Sequence, residues 1–217
     1  MGKIKLYMVW GSPPVNSVLM TAKALNIDIE LFEVDFSKNE FLSDWFLKLN
    51  PAHTVPTLDD DGFILWDSHA ILMYLVEKYG KNSVLYPEDS KTKAFINQIL
   101  LFDCGTVFRC FSDCVKPLFY EGKKSMDQNK LSNLKDVYVI LERILTSSKF
   151  LASDNITIAD ISILSTLLPS NLVLPIETNK FPKLSVWLEH MKQAEFYQAG
   201  EKALETFRIG FETVTRS

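Results

Sequence analysis

Every strand signal in this sequence falls within its first eighty residues, and after about residue 90 the apolar residues recur only at helical spacing. Ile4, Leu6 and Met8 alternate with Lys3, Lys5 and Tyr7, the period of a half-buried strand. Gly11-Ser12-Pro13-Pro14 follows; Ser12 suits a helix N-cap and Pro13 the first helical position. Val15, Val18, Leu19, Ala22 and Leu25 continue at helical spacing, and Ile27-Asp28-Ile29-Glu30-Leu31 reads as a second strand. A strand, a helix and a strand in so short a span predict a βαβ unit with parallel strands. A helical patch over 40–49 ends at Asn50-Pro51. Val55-Pro56-Thr57-Leu58 and Phe63-Ile64-Leu65 are two short strands around the turn signal Asp59-Asp60-Asp61-Gly62. Asp67-Ser68 then opens a helix with Ile71, Leu72, Leu75 and Val76 on one face.

The polar, Gly- and Pro-containing stretch that follows reads as a linker. The chain therefore divides into an α/β domain (1–80, βαβ-αββα), a linker (81–89) and an all-α domain (90–217). Long helical patterns cover 90–121 and 125–147, and two more helices are expected near 183–193 and 195–212. Thr157-Ile158-Ala159-Asp160 matches a capping box and opens a nearly all-apolar helix to about Val173. Being apolar around most of its circumference, that helix belongs at the buried centre of the second domain.

The net charge of -4, with no Lys/Arg-rich run, argues against a nucleic-acid partner. No apolar run approaches the ~20 residues of a membrane span, so no membrane partner is expected. The N-terminus lacks a signal-peptide pattern, and Leu6 stands where a myristoylation motif after Met1-Gly2 needs Ser or Thr. The three cysteines, Cys104, Cys110 and Cys114, are odd in number and confined to one segment, which reads as reduced thiols of a cytoplasmic protein. No His lies near them in sequence and tetrahedral zinc needs four ligands, so no metal is expected. There is no C-x-x-C and no phosphate-binding glycine loop.

Three places could carry chemistry, and each has a plainer reading. Val55-Pro56 is either an ordinary proline at a strand edge or a cis proline, which thioredoxin-like folds keep at such a strand entrance. The cis form would leave the backbone of Val55 free to pair with a peptide-like ligand. Ser12 is either a helix cap or a hydroxyl that donates to a ligand thiolate, in the positive potential of a helix N-terminus. Asp67-Ser68 is either a cap or the start of a carboxylate-binding helix end. His53 and His69 flank these sites.

Ser12-Pro13-Pro14-Val15, Asn50-Pro51-Ala52-His53-Thr54-Val55-Pro56-Thr57-Leu58, Asp67-Ser68-His69-Ala70-Ile71 and Thr157-Ile158-Ala159-Asp160 stand in one chain. In order and spacing they resemble insect cytosolic glutathione transferases of the delta/epsilon group, over essentially the whole sequence. The resemblance implies a thioredoxin-like N-terminal domain, glutathione as co-substrate, an apolar second substrate and a homodimer. Carried over, Ser12 is the thiol-activating hydroxyl, and Val55, before a cis Pro56, pairs with the cysteinyl part of glutathione. Asp67 and Ser68 bind the γ-glutamyl end, His53 sits by the glycyl end, and Thr54 and His69 complete the set. Phe41 stands where many relatives carry His or Gln, which implies a weaker hold on the glycyl carboxylate.

Within the group the chain resembles the noppera-bo type, linked to ecdysteroid biosynthesis, through residues 101–105, 136–143 and 164–175. That likeness implies a steroid ligand held by an acidic residue on the first long helix, a position that falls on Phe111, with Asp113 two residues on. Two residues are about 200° around a helix, so either Asp113 or Phe111 faces the ligand. Phe108, Phe111, Ser112, Val115 and Phe119 form one stripe, either core or the wall of an apolar pocket. Pro13 borders that pocket, and Leu204, Phe207, Arg208 and Phe211 could close it. Two functions remain open here: conjugation of the glutathione thiol to an apolar electrophile, or a glutathione-dependent steroid or lipid carrier.

Overall fold

β1 (Ile4–Met8) buries Ile4, Leu6 and Met8, as its alternation requires. In the computed structural model, which describes residues 3–81 and 83–216, this strand lies inside a four-stranded sheet of order β2-β1-β3-β4. Met1 and Gly2 of the myristoylation reading, Asn82 of the expected linker, and Ser217 lie outside the described residues. β2 (Ile29–Glu33) pairs parallel with β1, Ile4 opposite Ile29 through Met8 opposite Glu33, which completes the βαβ unit around α1 (Pro13–Ala24). β2 starts two residues later than its apolar pattern suggests. Asn26 is left-handed (φ 54°) and the Ile27 N–H still bonds back to the Ala22 carbonyl at 2.9 Å, so the helix is still closing where a strand was expected.

The helical patch over 40–49 narrows to α2 (Asp44–Leu49), because Ser43 takes an extended conformation and its hydroxyl caps Phe46 N–H after a 3₁₀ turn at Glu40–Leu42. β3 (Thr57–Asp60) and β4 (Phe63–Trp66) are antiparallel neighbours. Their turn is only Asp61-Gly62, both at positive φ (55° and 89°), as a two-residue hairpin of this hand needs. The Val55–Pro56 peptide is cis, and β3 begins at Thr57 rather than Val55, since proline has no N–H for the ladder. α3 (Ser68–Tyr79) packs against the sheet and ends at the expected linker.

α4 (Ser90–Phe102) and α5 (Phe108–Tyr120) join through a π-helical turn, Asp103–Val107, into one continuous helix. At 31 residues it is long and apolar enough to cross a membrane, which the run-length reading of the sequence missed, because charged residues interrupt the run without outweighing it. One of its faces is spent inside the protein, with Ile96, Leu100, Val107, Phe111 and Cys114 buried. α6 (Gln128–Ile144), α7 (Ile158–Val173), α8 (Pro182–Lys192) and α9 (Glu201–Arg216) complete the helical domain. The last expected helix divides into a 3₁₀ turn at Glu195–Gly200 and α9.

α7 is buried along nearly its whole length and packs against α1, α3, α4, α5 and α9, so it forms the seam between the domains. Its start is fixed by Asp160. One carboxylate oxygen accepts Thr157 N–H and Oγ1–H, both at 2.9 Å, and the other accepts Leu151 N–H at 2.9 Å and Trp187 Nε1–H at 3.0 Å.

Candidate active site

A cavity of about 660 Å³ opens between the two domains, a size suited to a small organic ligand. Its polar side is built from the loop after α2 and the start of α3. Asn50, fully buried, donates to the Thr54 carbonyl (3.0 Å) and Thr57 Oγ1 (2.9 Å) and accepts Ala52 N–H (2.8 Å). These bonds hold the 50–56 loop in a shape that turns His53, Thr54 and Val55 into the cavity, with His53 at positive φ (47°). Among the described residues, the Val55 N–H and carbonyl make no hydrogen bond, so both are available to a ligand.

Across from this loop, Asp67 caps α3. Its Oδ1 accepts His69 N–H at 2.9 Å and Ala70 N–H at 3.4 Å, at the cost of a left-handed backbone (φ 73°). Ser68, buried, is the first residue of the helix. The ring of His69 lies between two carboxylates, Nδ1 3.2 Å from Asp67 and Nε2 3.1 Å from Asp103. Burial works against a charged ring, but the two carboxylates outweigh it and raise the pKa to about 9, so both nitrogens carry protons at neutral pH. Asp103 is buried in the π-helical turn and also accepts the hydroxyls of Ser162 and, at 3.2 Å, Thr166 on α7.

Ser12 stands at the N-terminus of α1, half-buried, facing the same cavity. Its backbone is that of an N-cap (φ -83°, ψ 118°), yet its hydroxyl caps nothing. The first two helical positions are prolines, which removes the donors nearest a cap. The capping interpretation of Ser12 is thereby corrected: the hydroxyl is unspent, in the positive potential of a helix end. Gly11 makes the bend possible at φ 85°, with the α9 backbone at Phe207 close by.

The remaining wall is apolar. Pro13, Phe108, Phe111, Ser112, Val115, Phe119 and Phe207 all line it. Phe207 is the hub, 5.5 Å from Phe111 and 5.8 Å from Phe119 between ring centres, with Phe211 stacked behind it at 5.9 Å. Four expected pocket residues are not brought to this cavity, Phe211 because it stacks behind Phe207 rather than beside it. Asp113 is exposed on the far side of α5, where two residues of helical rotation put it once Phe111 turns inward. Arg208 is held along α9 by ion pairs to Glu205 (2.6 Å) and Glu212 (2.5 Å). Leu204 borders a separate void of about 10 Å³ beside Ser12 and Pro13. Trp10, Phe36, Asp103, Cys104, Lys116 and Tyr120 also line the cavity, where the sequence alone did not place them. Lys116 and Tyr120 continue the α5 stripe at i+4 and i+8 from Ser112, so the spacing could have found them. Phe41 stacks on Phe36 at 4.6 Å, with His53 6.2 Å away, so an apolar ring pair backs this corner.

An unbonded backbone at Val55, the N-terminal end of α3, an unspent hydroxyl and an apolar wall in one cavity can hold a small peptide beside an apolar molecule. Comparison with known proteins agrees. The N-terminal domain model of glutathione S-transferases matches residues 2–77 and the C-terminal domain model residues 72–195. Glutathione S-transferase 1 of Manduca sexta is 40% identical over 195 residues, 89% of each chain. An epsilon-class glutathione S-transferase from the housefly, Musca domestica, superposes with a TM-score of 0.94 at 38% identity, covering 98% of both chains. A glutathione transferase homologue from Drosophila mojavensis, solved with bound glutathione, superposes with a TM-score of 0.93 at 32% identity, also over 98% of both.

Proposed function

We propose how this chain works from one premise: it belongs to the glutathione S-transferase family, within the insect delta/epsilon group. It is a glutathione transferase, with a thioredoxin-like N-terminal domain, a helical C-terminal domain and glutathione as its co-substrate. Glutathione lies with its cysteinyl backbone against Val55, its γ-glutamyl end at Asp67 and Ser68, and its glycyl end toward His53 and Thr54. Ser12 donates a hydrogen bond to the sulfur. A charge-assisted bond of that kind is worth about 1.5–3 kcal/mol, enough to lower a thiol pKa by one to two units. The thiolate then attacks an electrophile held against Phe108, Phe111, Phe119 and Phe207; holding both reactants close supplies much of the remaining acceleration.

The single observation that carries this reading is the Ser12 hydroxyl, uncapped and unpaired in a cavity shared with the free backbone of Val55. A carrier has no use for that hydroxyl, so conjugation of a generic aromatic electrophile by wild type and Ser12→Ala separates enzyme from carrier.

The second substrate is a flat apolar molecule of steroid size, and the chain acts in steroid metabolism of the ecdysteroid kind, as its likeness to the noppera-bo type implies. Support comes from the aromatic wall and the cavity volume. The active form is a cytoplasmic two-fold homodimer. Exposed Phe63, Phe95 and Leu101 supply apolar surface for its interface. A light-scattering mass of twice 24.8 kDa is expected, and a concentration-independent mass of 24.8 kDa contradicts it.

A further inference from the structure

Cys104, Asp67 and His69 are far apart in sequence, but the fold gathers them at one corner of the cavity. One oxygen, one ring nitrogen and one sulfur, each able to ligate a metal, all lie within 4.8 Å of one another. We propose that Asp67, His69 and Cys104 form a binding site for a thiophilic divalent cation, Zn²⁺ or Cd²⁺, on the same ground as the γ-glutamyl end of glutathione. The shared ground rests on the placement of glutathione given above; the metal site does not.

The geometry is largely formed already. His69 Nδ1 and Asp67 Oδ1 are 3.2 Å apart. Two donors bonded to one tetrahedral ion at about 2.0–2.1 Å each are separated by about 3.3 Å, so this pair needs almost no movement. A thiolate bonded at about 2.3 Å sits about 3.6 Å from such donors. Cys104 must therefore close by no more than about 1.2 Å, within reach of an exposed side chain. The other ring nitrogen of His69 is fixed by Asp103 at 3.1 Å, and Asp103 is anchored in turn by Ser162 and Thr166. A buried carboxylate behind the ring is the support that metal-binding histidines ordinarily have, and it keeps Nδ1 turned toward the ion.

The charge is suitable as well. Burial raises the Cys104 thiol pKa, and Asp67 and Asp103 add to it, so the corner resists a bare thiolate. A bound cation reverses that balance, because a coordinated thiol gives up its proton. Binding releases two protons to solvent, one from Cys104 and one from His69 Nδ1. A water molecule completes the coordination. An ion here occupies the place of the γ-glutamyl group, so the cation and glutathione compete, and such cations inhibit the enzyme.

Metal-free protein without glutathione is titrated with Cd²⁺ while the thiolate-to-cadmium charge-transfer absorption is followed in the ultraviolet. The expected result is one Cd²⁺ per chain, in wild type and in the Cys110→Ser/Cys114→Ser double variant. Cys104→Ser should lose the band with an unchanged circular dichroism spectrum, and His69→Gln should bind at least tenfold more weakly. A band that survives in Cys104→Ser, or that disappears only with Cys110 and Cys114, overturns the site, as does an unaltered affinity in His69→Gln. S-methylglutathione, whose blocked sulfur does not chelate the ion, should weaken Cd²⁺ binding in proportion to its concentration. If it binds the metal-free protein but leaves the Cd²⁺ titration unmoved, the shared ground is wrong. If it fails to bind the metal-free protein at all, the glutathione placement falls, and the band in wild type and the two cysteine variants still decides the metal site.

Discussion

His69 Nε2 lies 3.1 Å from the buried carboxylate of Asp103, thirty-four residues away, and this contact fastens the start of α3 to the helical domain. Asp103 holds two α7 hydroxyls with the same carboxylate, so one side chain couples the polar half of the cavity to the seam between domains. Asp103→Ala strands a protonated His69 and two hydroxyls. It should cost about 2–4 kcal/mol of stability. It should also raise the KM for glutathione by about tenfold with a smaller change in kcat, because the loss falls on positioning α3 rather than on the sulfur. Urea unfolding and steady-state kinetics check the two halves; an unchanged KM contradicts the positioning role.

Asp60 ties β3 to α3 from the other end. Its carboxylate accepts Tyr74 Oη (2.7 Å), Lys78 Nζ (2.7 Å) and Tyr79 Oη (2.6 Å). Burial pushes its pKa up, but the three donors outweigh that and leave it below the usual carboxylate value. A carboxylate with a lower pKa in the folded state than in the unfolded chain stabilises the fold above the unfolded value, near 3.8, and loses that contribution as pH falls through the folded value. Urea midpoints of wild type should therefore drop as the pH is lowered below about 4. Asp60→Asn should be less stable at pH 7 and flatter across that acid window. Parallel curves for the two proteins rule out the assignment.

Phe111 lines the cavity and Asp113 is exposed to solvent, so the two proposed modes of ligand recognition make different predictions. If the apolar wall reads a steroid, Phe111→Leu should weaken a hydroxylated steroid and its deoxy analogue alike, by about fivefold each, in keeping with lost apolar contact. Asp113→Ala should leave their ratio unchanged. Calorimetric titration of both steroids against the three proteins tests this, and a hydroxyl preference abolished by Asp113→Ala alone would show that the acid reaches the ligand.

The fold was legible because hydrophobic period and turn chemistry agreed along the chain. Ile4, Leu6 and Met8 mark a strand, Asp61-Gly62 a hairpin and Thr157-x-x-Asp160 a helix start, each through local physics. Boundaries slipped where one residue's backbone decided them, as left-handed Asn26 did for β2. The polar half of the cavity was legible because Ser12, Val55-Pro56 and Asp67-Ser68 sit in short motifs at element ends. Asp103 and Cys104 were not, since their partners lie on α3 and α7 and only the tertiary fold supplies them. On α9, Leu204, Phe207, Arg208 and Phe211 share a helical spacing, but only Phe207 lines the cavity, since Arg208 is committed to Glu205 and Glu212.

The uncapped hydroxyl of Ser12 is the centre of the account, and the ionisation of glutathione bound to the enzyme tests it most directly. Thiolate absorption of the wild-type and Ser12→Ala complexes is titrated against pH. The bound thiol should have a pKa below the free-thiol value near 8.5 in wild type, and Ser12→Ala should raise it by about one to two units. Turnover should fall at least tenfold and glutathione affinity by less than about twofold, the pattern of a bond that matters to the thiolate more than to binding. Superimposable titrations of the two proteins would contradict it, leaving Ser12 without a part in activating the thiol.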